Sequence, residues 1–207
     1  MNIIPGYFEN LDKEQIMKFK AMEGIYRSWN KKVNLISRKD FDNFYERHIL
    51  HSLAIARVIS FREGTRIMDA GSGGGFPGVP MAIMYPGAIF HLVDSTRKKM
   101  DAVEGIAGEL GLQNLTTEHS RLEDHTGKYD FVTGRAVAAL PKFNGWTGKN
   151  ILPGGFNDMP NGTFYLKGED VETEFIRKFA MYKVWDLSEF FGERFFETKR
   201  LVYFSGV

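Results

Sequence analysis

The chain of 207 residues contains no cysteine. Disulfides and thiolate metal sites are therefore excluded, and a cytoplasmic address is the default expectation. No uninterrupted apolar run reaches about 18 residues, so no membrane-spanning helix is expected. Met1-Asn2-Ile3-Ile4-Pro5 lacks a charged start followed by an apolar stretch and does not read as a signal peptide. Charge of one sign is missing too: 27 Lys and Arg face 26 Asp and Glu, leaving a net charge of +1. A polyanionic partner would have to be met by a local basic patch rather than a global field. No internal repeat and no Pro/Gly/Ser linker divides the chain. No nucleophile–His–acid constellation is visible. His48 and His51 lie three apart on one helical stretch, a spacing that metals use, but no third ligand accompanies them and a structural reading is preferred.

What the sequence does have is one glycine-dense stretch, Arg66-Ile67-Met68-Asp69-Ala70-Gly71-Ser72-Gly73-Gly74-Gly75-Phe76-Pro77-Gly78. It reads as a short buried strand ending at Asp69, a loop without Cβ atoms, and a helix beginning near Pro80. Such a loop lets backbone take positive φ and approach a ligand closely. The dinucleotide pattern G-x-G-x-x-G fails because position 76 is Phe. Asp-x-Gly-x-Gly-x-Gly, with Asp69, Gly71, Gly73 and Gly75, fits the signature of S-adenosylmethionine (SAM) binding. A second apolar run, Phe90-His91-Leu92-Val93-Asp94, ends in an acid 19 residues after Gly75. A carboxylate at that place accepts hydrogen bonds from ribose hydroxyls. Capping of the next helix, which Ser95 or Thr96 would do equally well, is the lesser reading.

The remaining pattern alternates strands and helices. Residues 11–30 form an amphipathic helix with Asp12 as N-cap and Phe19, Met22, Tyr26 and Trp29 on its apolar face. Two further helices are expected at 40–48 and 51–59. Strands follow at 66–69, 90–94, 115–118, 129–133 and 163–167, and two more at 183–187 and 200–204. Helices are expected at 79–85, 96–110, much of 137–150, and 170–180. The implied fold is α/β: a Rossmann-like, mainly parallel seven-stranded sheet whose last strand runs antiparallel. Residues 1–62 are expected to form an N-terminal helical cap and 63–207 the cofactor-binding core of one domain. Residues 145–162, dense in Gly, Pro and Asn, read as a flexible surface excursion.

The sequence resembles the RsmG (GidB) family of bacterial small-subunit rRNA methyltransferases. The matching pieces are Asn34-Leu35-Ile36, Arg47-His48-Ile49-Leu50-His51-Ser52-Leu53, the glycine stretch from Asp69 to Gly78, Val93-Asp94-Ser95, Ser120-Arg121-Leu122-Glu123, Arg135-Ala136 and Leu166-Lys167-Gly168. The resemblance implies methyl transfer from SAM to N7 of a guanine in 16S rRNA, yielding S-adenosylhomocysteine. Carried over by position, it implies cofactor contacts at Gly71 and Phe76, an adenine-side pair at Leu122 and Glu123, and Arg135 on the cofactor side of the cleft. Asp94 sits where the ribose acid is expected, with Ser95 beside it. Residues 155–161 depart from the family as a small insertion.

Guanine N7 carries a lone pair and no proton, so this chemistry needs alignment and exclusion of water rather than a general base. Arg135 and Lys167, at the ends of consecutive strands, are the candidates nearest the reaction. Phe76 and Arg135 are candidates for stacking on an extruded guanine. Arg27, Lys31, Lys32, Arg38, Lys39 and Arg47, with Arg97, Lys98 and Lys99, are candidates for binding the RNA backbone. The expected partner is 16S rRNA or a small-subunit particle, with no membrane, and the chain is expected to act as a monomer. Three rival readings remain: methylation of a small molecule, nicotinamide redox chemistry (disfavoured by Phe76), and a non-catalytic SAM- or ribosome-binding scaffold.

Overall fold

The computed structural model describes residues 3–37, 39–168 and 171–206. A short turn, α1 (Ile4–Tyr7), precedes α2 (Lys13–Asn30). A capping box starts α2: Asp12 Oδ1 accepts from the Gln15 N–H at 2.8 Å, and Gln15 Oε1 accepts from the Asp12 N–H at 2.9 Å. Phe19, Met22 and Tyr26 are its buried stripe. Where two helices were expected, one unbroken helical run spans 41–57, with wide turns from Phe44 to Leu50 leading into α3 (His51–Leu53). The buried residues explain the widening. Phe44 and Ile49, and Tyr45 and Leu50, are five apart, and a widened turn puts such pairs on one face.

β1 (Arg66–Ala70), α4 (Gly78–Met84), β2 (Ile89–Asp94), α5 (Arg97–Glu109), β3 (Leu115–His119) and β4 (Phe131–Arg135) build the first half of an open sheet. After α6 (Leu140–Thr147) come β5 (Gly162–Lys167), α7 (Thr173–Ile176), β6 (Met181–Asp186) and β7 (Arg200–Ser205). The sheet order is β3-β2-β1-β4-β5-β7-β6, parallel except for β7, which is antiparallel to both neighbours. The chain reverses its winding between β1 and β4, which is where open α/β sheets bind ligands. Alternation divides the side chains into two faces. Ile67, Phe90, Leu92, Phe131, Phe164 and Leu166 share one core with the cap residues Tyr26, Phe44, Ile49 and Leu53. Met68, Val93, Val132, Tyr165, Val202 and Phe204 pack on the other face with Leu140, Phe143 and Ile176.

Two expectations are corrected. The helix expected at 170–180 is only the single turn α7, because the Ala180 N–H already bonds to the Gly206 carbonyl and draws the chain into the sheet. The stretch 145–162 is anchored rather than a free excursion. Arg62 binds the Phe156 carbonyl at 2.5 Å and Asp158 at 2.6 Å, its N–H donates to Asn157 Oδ1, and Asn161 reaches Asp130 at 3.2 Å.

Candidate cofactor and substrate site

The glycine loop crosses the carboxyl end of β1. Gly71, Gly73 and Gly75 all have positive φ, of 69°, 55° and 88°. They do different work. A Cβ on Gly73 would meet nothing within 4 Å and would project into open space, whereas one on Gly75 would lie 2.8 Å from Val79 Cγ2. Gly73 therefore leaves room for a ligand, and Gly75 lets α4 pack close to the loop. The cap grips this loop from above: Tyr26 donates to the Gly74 carbonyl at 2.9 Å, and Leu35 sits against Gly74. The Asn30 amide holds the 34–36 segment in place by bonding Leu35 N–H, Ile36 N–H and the Ile36 carbonyl.

Asp94, at the tip of β2, binds the Gly73 N–H through Oδ2 at 2.9 Å and the Thr96 N–H through Oδ1 at 2.8 Å. It thus performs the turn-capping task as well. Each oxygen keeps a further lone pair for a hydroxyl donor. The cleft beside it encloses about 970 Å³ and is bounded by Gly71, Gly73, Asp94, Ser95, Leu122, Glu123 and Arg135. That volume and this mix of Cβ-free backbone, acid and apolar side chain fit an adenosine bearing an amino-acid tail. His119, Arg121, Val137 and Trp146 also line the cleft, and the sequence reading had assigned them no part in it.

Asp69 and Phe76 are corrected in position. Asp69 is fully buried under the cap and does not reach the cleft wall. Its Oδ2 accepts from the Gly78 N–H at 2.7 Å and so pins the start of α4. Burial pushes its carboxyl up to about 7, against the opposing pull of that N–H and of Arg135. The Phe76 ring is buried among Tyr26, Phe44 and His48, with the Arg135 guanidinium 5.1 Å from its centroid. It faces the cap and has no free face for a base. Gly75 likewise lies outside the cleft lining.

Arg135 ties these layers together. It donates to the Arg47 carbonyl at 3.2 Å and to His48 Nδ1 at 3.3 Å. Among the described residues it has no carboxylate within 4 Å. Burial lowers its guanidinium to about 10, still cationic at neutral pH. His48 is pushed down to about 3 by burial and by that same cation, so it accepts rather than donates. His51 is buried beside them and is also held neutral.

A second cavity of about 430 Å³ shares Arg135, Ala136 and Val137 with the first and extends to His51, Tyr165, Lys167, Glu172 and Lys199. Ala136 is the only described non-glycine residue with positive φ (53°). A residue held there stores strain that the surroundings must offset. Tyr165 does so: its hydroxyl accepts from the Val137 and Ala138 N–H groups at 2.7 and 3.0 Å and donates to the Ala138 carbonyl at 2.8 Å. Lys167 is not a free base. Its ammonium contacts both oxygens of Glu172, at 2.8 and 2.7 Å.

Another cluster is not visible in the sequence because His91 lies 27 residues from its partner Glu118 and is brought to it by the pairing of β2 with β3. His91, Glu118 and His125 bring their ligand-type atoms within 4.8 Å of one another. His125 also bonds Tyr129 at 2.9 Å, which fastens the end of the 120–125 loop that carries Leu122. Of the expected RNA-binding cations, Lys99 lines the cleft and Arg47 lies beside Arg135. Arg27 pairs with Glu23, and Lys32 covers Trp29. Lys31, Lys39, Arg97 and Lys98 are exposed outside the cleft, and Arg38 falls outside the described residues.

Sheet order, glycine loop and the acid of β2 define the class: a Rossmann-like methyltransferase domain. Solved structures agree at the level of fold. A SAM-dependent methyltransferase from Aquifex aeolicus superposes with a TM-score of 0.58 at 13% identity, covering 83% of this chain and 100% of that one. Precorrin-6y C5,15-methyltransferase from Geobacter metallireducens gives 0.56 at 9% identity, covering 84% and 92%. The family model described as GidB, rRNA small subunit methyltransferase G, matches residues 15–199, and the chain belongs to that family. Relatives named ribosomal RNA small subunit methyltransferase G are 47% identical in Cytophaga hutchinsonii and 48% identical in Bacteroides thetaiotaomicron. Each comparison covers 98% of both chains.

Proposed function

We propose that this protein methylates N7 of a guanine in 16S rRNA, with SAM as methyl donor. The observation that carries the reading is the pair of cavities meeting at Arg135–Val137: one suits the donor, and the other opens from the same wall. Bound SAM would supply an electrophilic methyl group on a sulfonium. Asp94 would accept from the ribose hydroxyls, Leu122 and Glu123 would flank the adenine, and Gly71 and Gly73 would admit the methionine tail. Ser95 completes that wall. Arg135, lacking a carboxylate partner, offers its charge to an anionic group of donor or target. Phe76 acts indirectly by seating Arg135.

N7 needs no proton removed, so the side chains are asked only to align the base and keep water out. That agrees with the neutral, half-buried His48 and the ion-paired Lys167, neither of which is poised as a base. The surface cations Lys31, Lys39, Arg97 and Lys98 would hold phosphates by charge, with Lys99 at the cleft lining, and Arg27, Lys32 and Arg47 would contribute from the cap. Small ribosomal subunits are cytoplasmic, and the protein would act there as a monomer.

The test is to map N7-methylguanine in 16S rRNA from cells with and without this gene, then restore it in vitro with purified protein, SAM and unmodified small-subunit particles. One guanine that loses and regains its methyl group is the expected result. An unchanged methylation map removes the proposal.

A further inference from the structure

Glu118 is approached by two histidines, one at each carboxylate oxygen. His91 Nε2 lies 3.0 Å from Oε2, and His125 Nδ1 lies 3.1 Å from Oε1. Pairing of β2 with β3 sets His91 opposite Thr116, and alternation brings Glu118, two residues further on, to the same face. His125 arrives from the loop beyond β3, and its backbone is held at both ends. Its N–H donates to the Arg121 carbonyl at 3.2 Å, and its carbonyl accepts from Asn150 Nδ2 at 3.2 Å. Each ring nitrogen not turned to Glu118 meets a hydroxyl. His91 Nδ1 is 2.8 Å from Thr116 Oγ1, and His125 Nε2 is 2.9 Å from Tyr129 Oη. His125 is buried, while His91 and Glu118 are half-buried and stay partly open to solvent.

We propose that His91, Glu118 and His125 bind a divalent transition-metal ion, with zinc the best match, and that the ion fastens the loop bordering the donor cleft. Two imidazole nitrogens and one carboxylate oxygen suit zinc and its neighbours rather than magnesium or calcium. One donor atom of each residue lies within 4.8 Å of the other two. Donors sharing a tetrahedral zinc at about 2.0–2.1 Å stand about 3.3 Å apart, so the two N–O separations need to open only slightly. Glu118 is already a charged ligand: burial raises its carboxyl, but the bonds from His91 and His125 outweigh this and hold it below the ordinary value. The protons balance without a base. The ion replaces the ring N–H groups that point at Glu118, and each neutral imidazole carries its proton on the far nitrogen instead. Thr116 Oγ1 and Tyr129 Oη accept those protons as hydrogen bonds, the outer support that metal-bound histidines need. The Thr116 hydroxyl then has the Phe90 carbonyl, 3.5 Å away, as its own acceptor. Water takes the remaining position from the solvent side. The loop that ends at His125 carries Leu122 and Glu123, which border the donor cleft. Ordering it before the donor arrives removes a cost from donor binding, so ion and donor bind with positive coupling.

The experiment uses tag-free protein stripped with EDTA and has two arms. In the first, zinc alone is titrated in competition with a chromophoric chelator. The wild type should take up a single equivalent. Thr116→Val keeps all three ligands but removes the hydroxyl behind His91, and should weaken zinc about 10- to 100-fold. His91→Gln and Glu118→Gln should weaken it further. Thermal melts guard against a poorly folded variant: zinc should raise the wild-type midpoint and leave that of His91→Gln unmoved. In the second arm, the Kd for S-adenosylhomocysteine is measured by calorimetry with zinc and with EDTA. Zinc should tighten it about fivefold in the wild type and not at all in His91→Gln. A folded wild type that takes up no zinc overturns the site. So does uptake that His91→Gln and Glu118→Gln leave unchanged. Zinc that binds without altering the Kd for S-adenosylhomocysteine overturns the fastening of the loop. Neither arm uses RNA, so failure here leaves the proposed function standing.

Discussion

Asp69 is buried and His48 half-buried, both within the field of Arg135, and their protonation pulls stability in opposite directions. Asp69 has a folded pKa of about 7 against 3.8 for the free group. Between those values the folded chain holds a proton that the unfolded chain has lost, so this group's contribution to stability falls as pH rises from about 4 to 7. His48, pushed from 6.5 down to about 3, is neutral when folded and charged when unfolded across that window. Its contribution therefore rises with pH. The two partly cancel in the parent, and Asp69→Asn separates them. The variant's stability relative to the parent should increase by about 2–4 kcal/mol between pH 4 and 7, read from urea midpoints. A pH-independent difference would mean that Asp69 is ionised throughout. Arg135→Lys keeps a cation but loses the fork that reaches the Arg47 carbonyl and His48. Its kcat/KM for methyl transfer should drop by about 10- to 100-fold.

At the scale of elements, three contacts hold the cleft in shape. α2 meets α5 where Gly105 lies under Trp29, and a Cβ there would fall 2.2 Å from the ring. Trp29 is further fixed by its bond to Glu109 at 2.8 Å. Gly105→Ala should therefore cost about 1–3 kcal/mol through overpacking and shift the tryptophan emission, measured by thermal melt and fluorescence. β5 holds the turn after β4 through Tyr165. Tyr165→Phe keeps the ring packing on Phe143 at 4.7 Å but strands the Val137 and Ala138 N–H groups. We expect SAM affinity to weaken by about 1–3 kcal/mol, checked by calorimetry. An unchanged Kd would show that the turn keeps its strained Ala136 without help. The 120–125 loop is the third contact, fastened to β3 by His125 and Glu118.

For the whole molecule, the decisive fact is that cap and sheet bury one continuous core. The cap cannot be treated as an attachment: it supplies Tyr26 to the glycine loop, and its run from Phe44 to Leu50 supplies the Arg47 carbonyl to Arg135. With a net charge of +1, affinity for RNA must come from local cations. Charge reversal of Lys39 and Lys98 together should raise KM for particles several-fold, more so at low salt, while leaving the Kd for SAM unchanged. No change in KM would take that surface out of the interface. Among the described residues no helix is long and apolar enough to cross a membrane.

The sequence by itself determined the seven strands, the first long helix and the loop after β1, because strand alternation, the capping box at Asp12 and the Cβ-free loop are local patterns. It also determined the acid of β2, since a carboxylate at a strand end facing a glycine turn depends on spacing alone. Tertiary structure decided which face each candidate took. Asp69 and Phe76 sit in the most recognisable motif and still point under the cap, because the alternation of β1 and the packing of α4 turn them there. Tyr165, which holds the 137–138 backbone, and the pairing of His91 with Glu118 were illegible for the converse reason. Their meaning lies in neighbours brought from distant segments by a sheet that reverses its winding, and no window along the chain contains those neighbours.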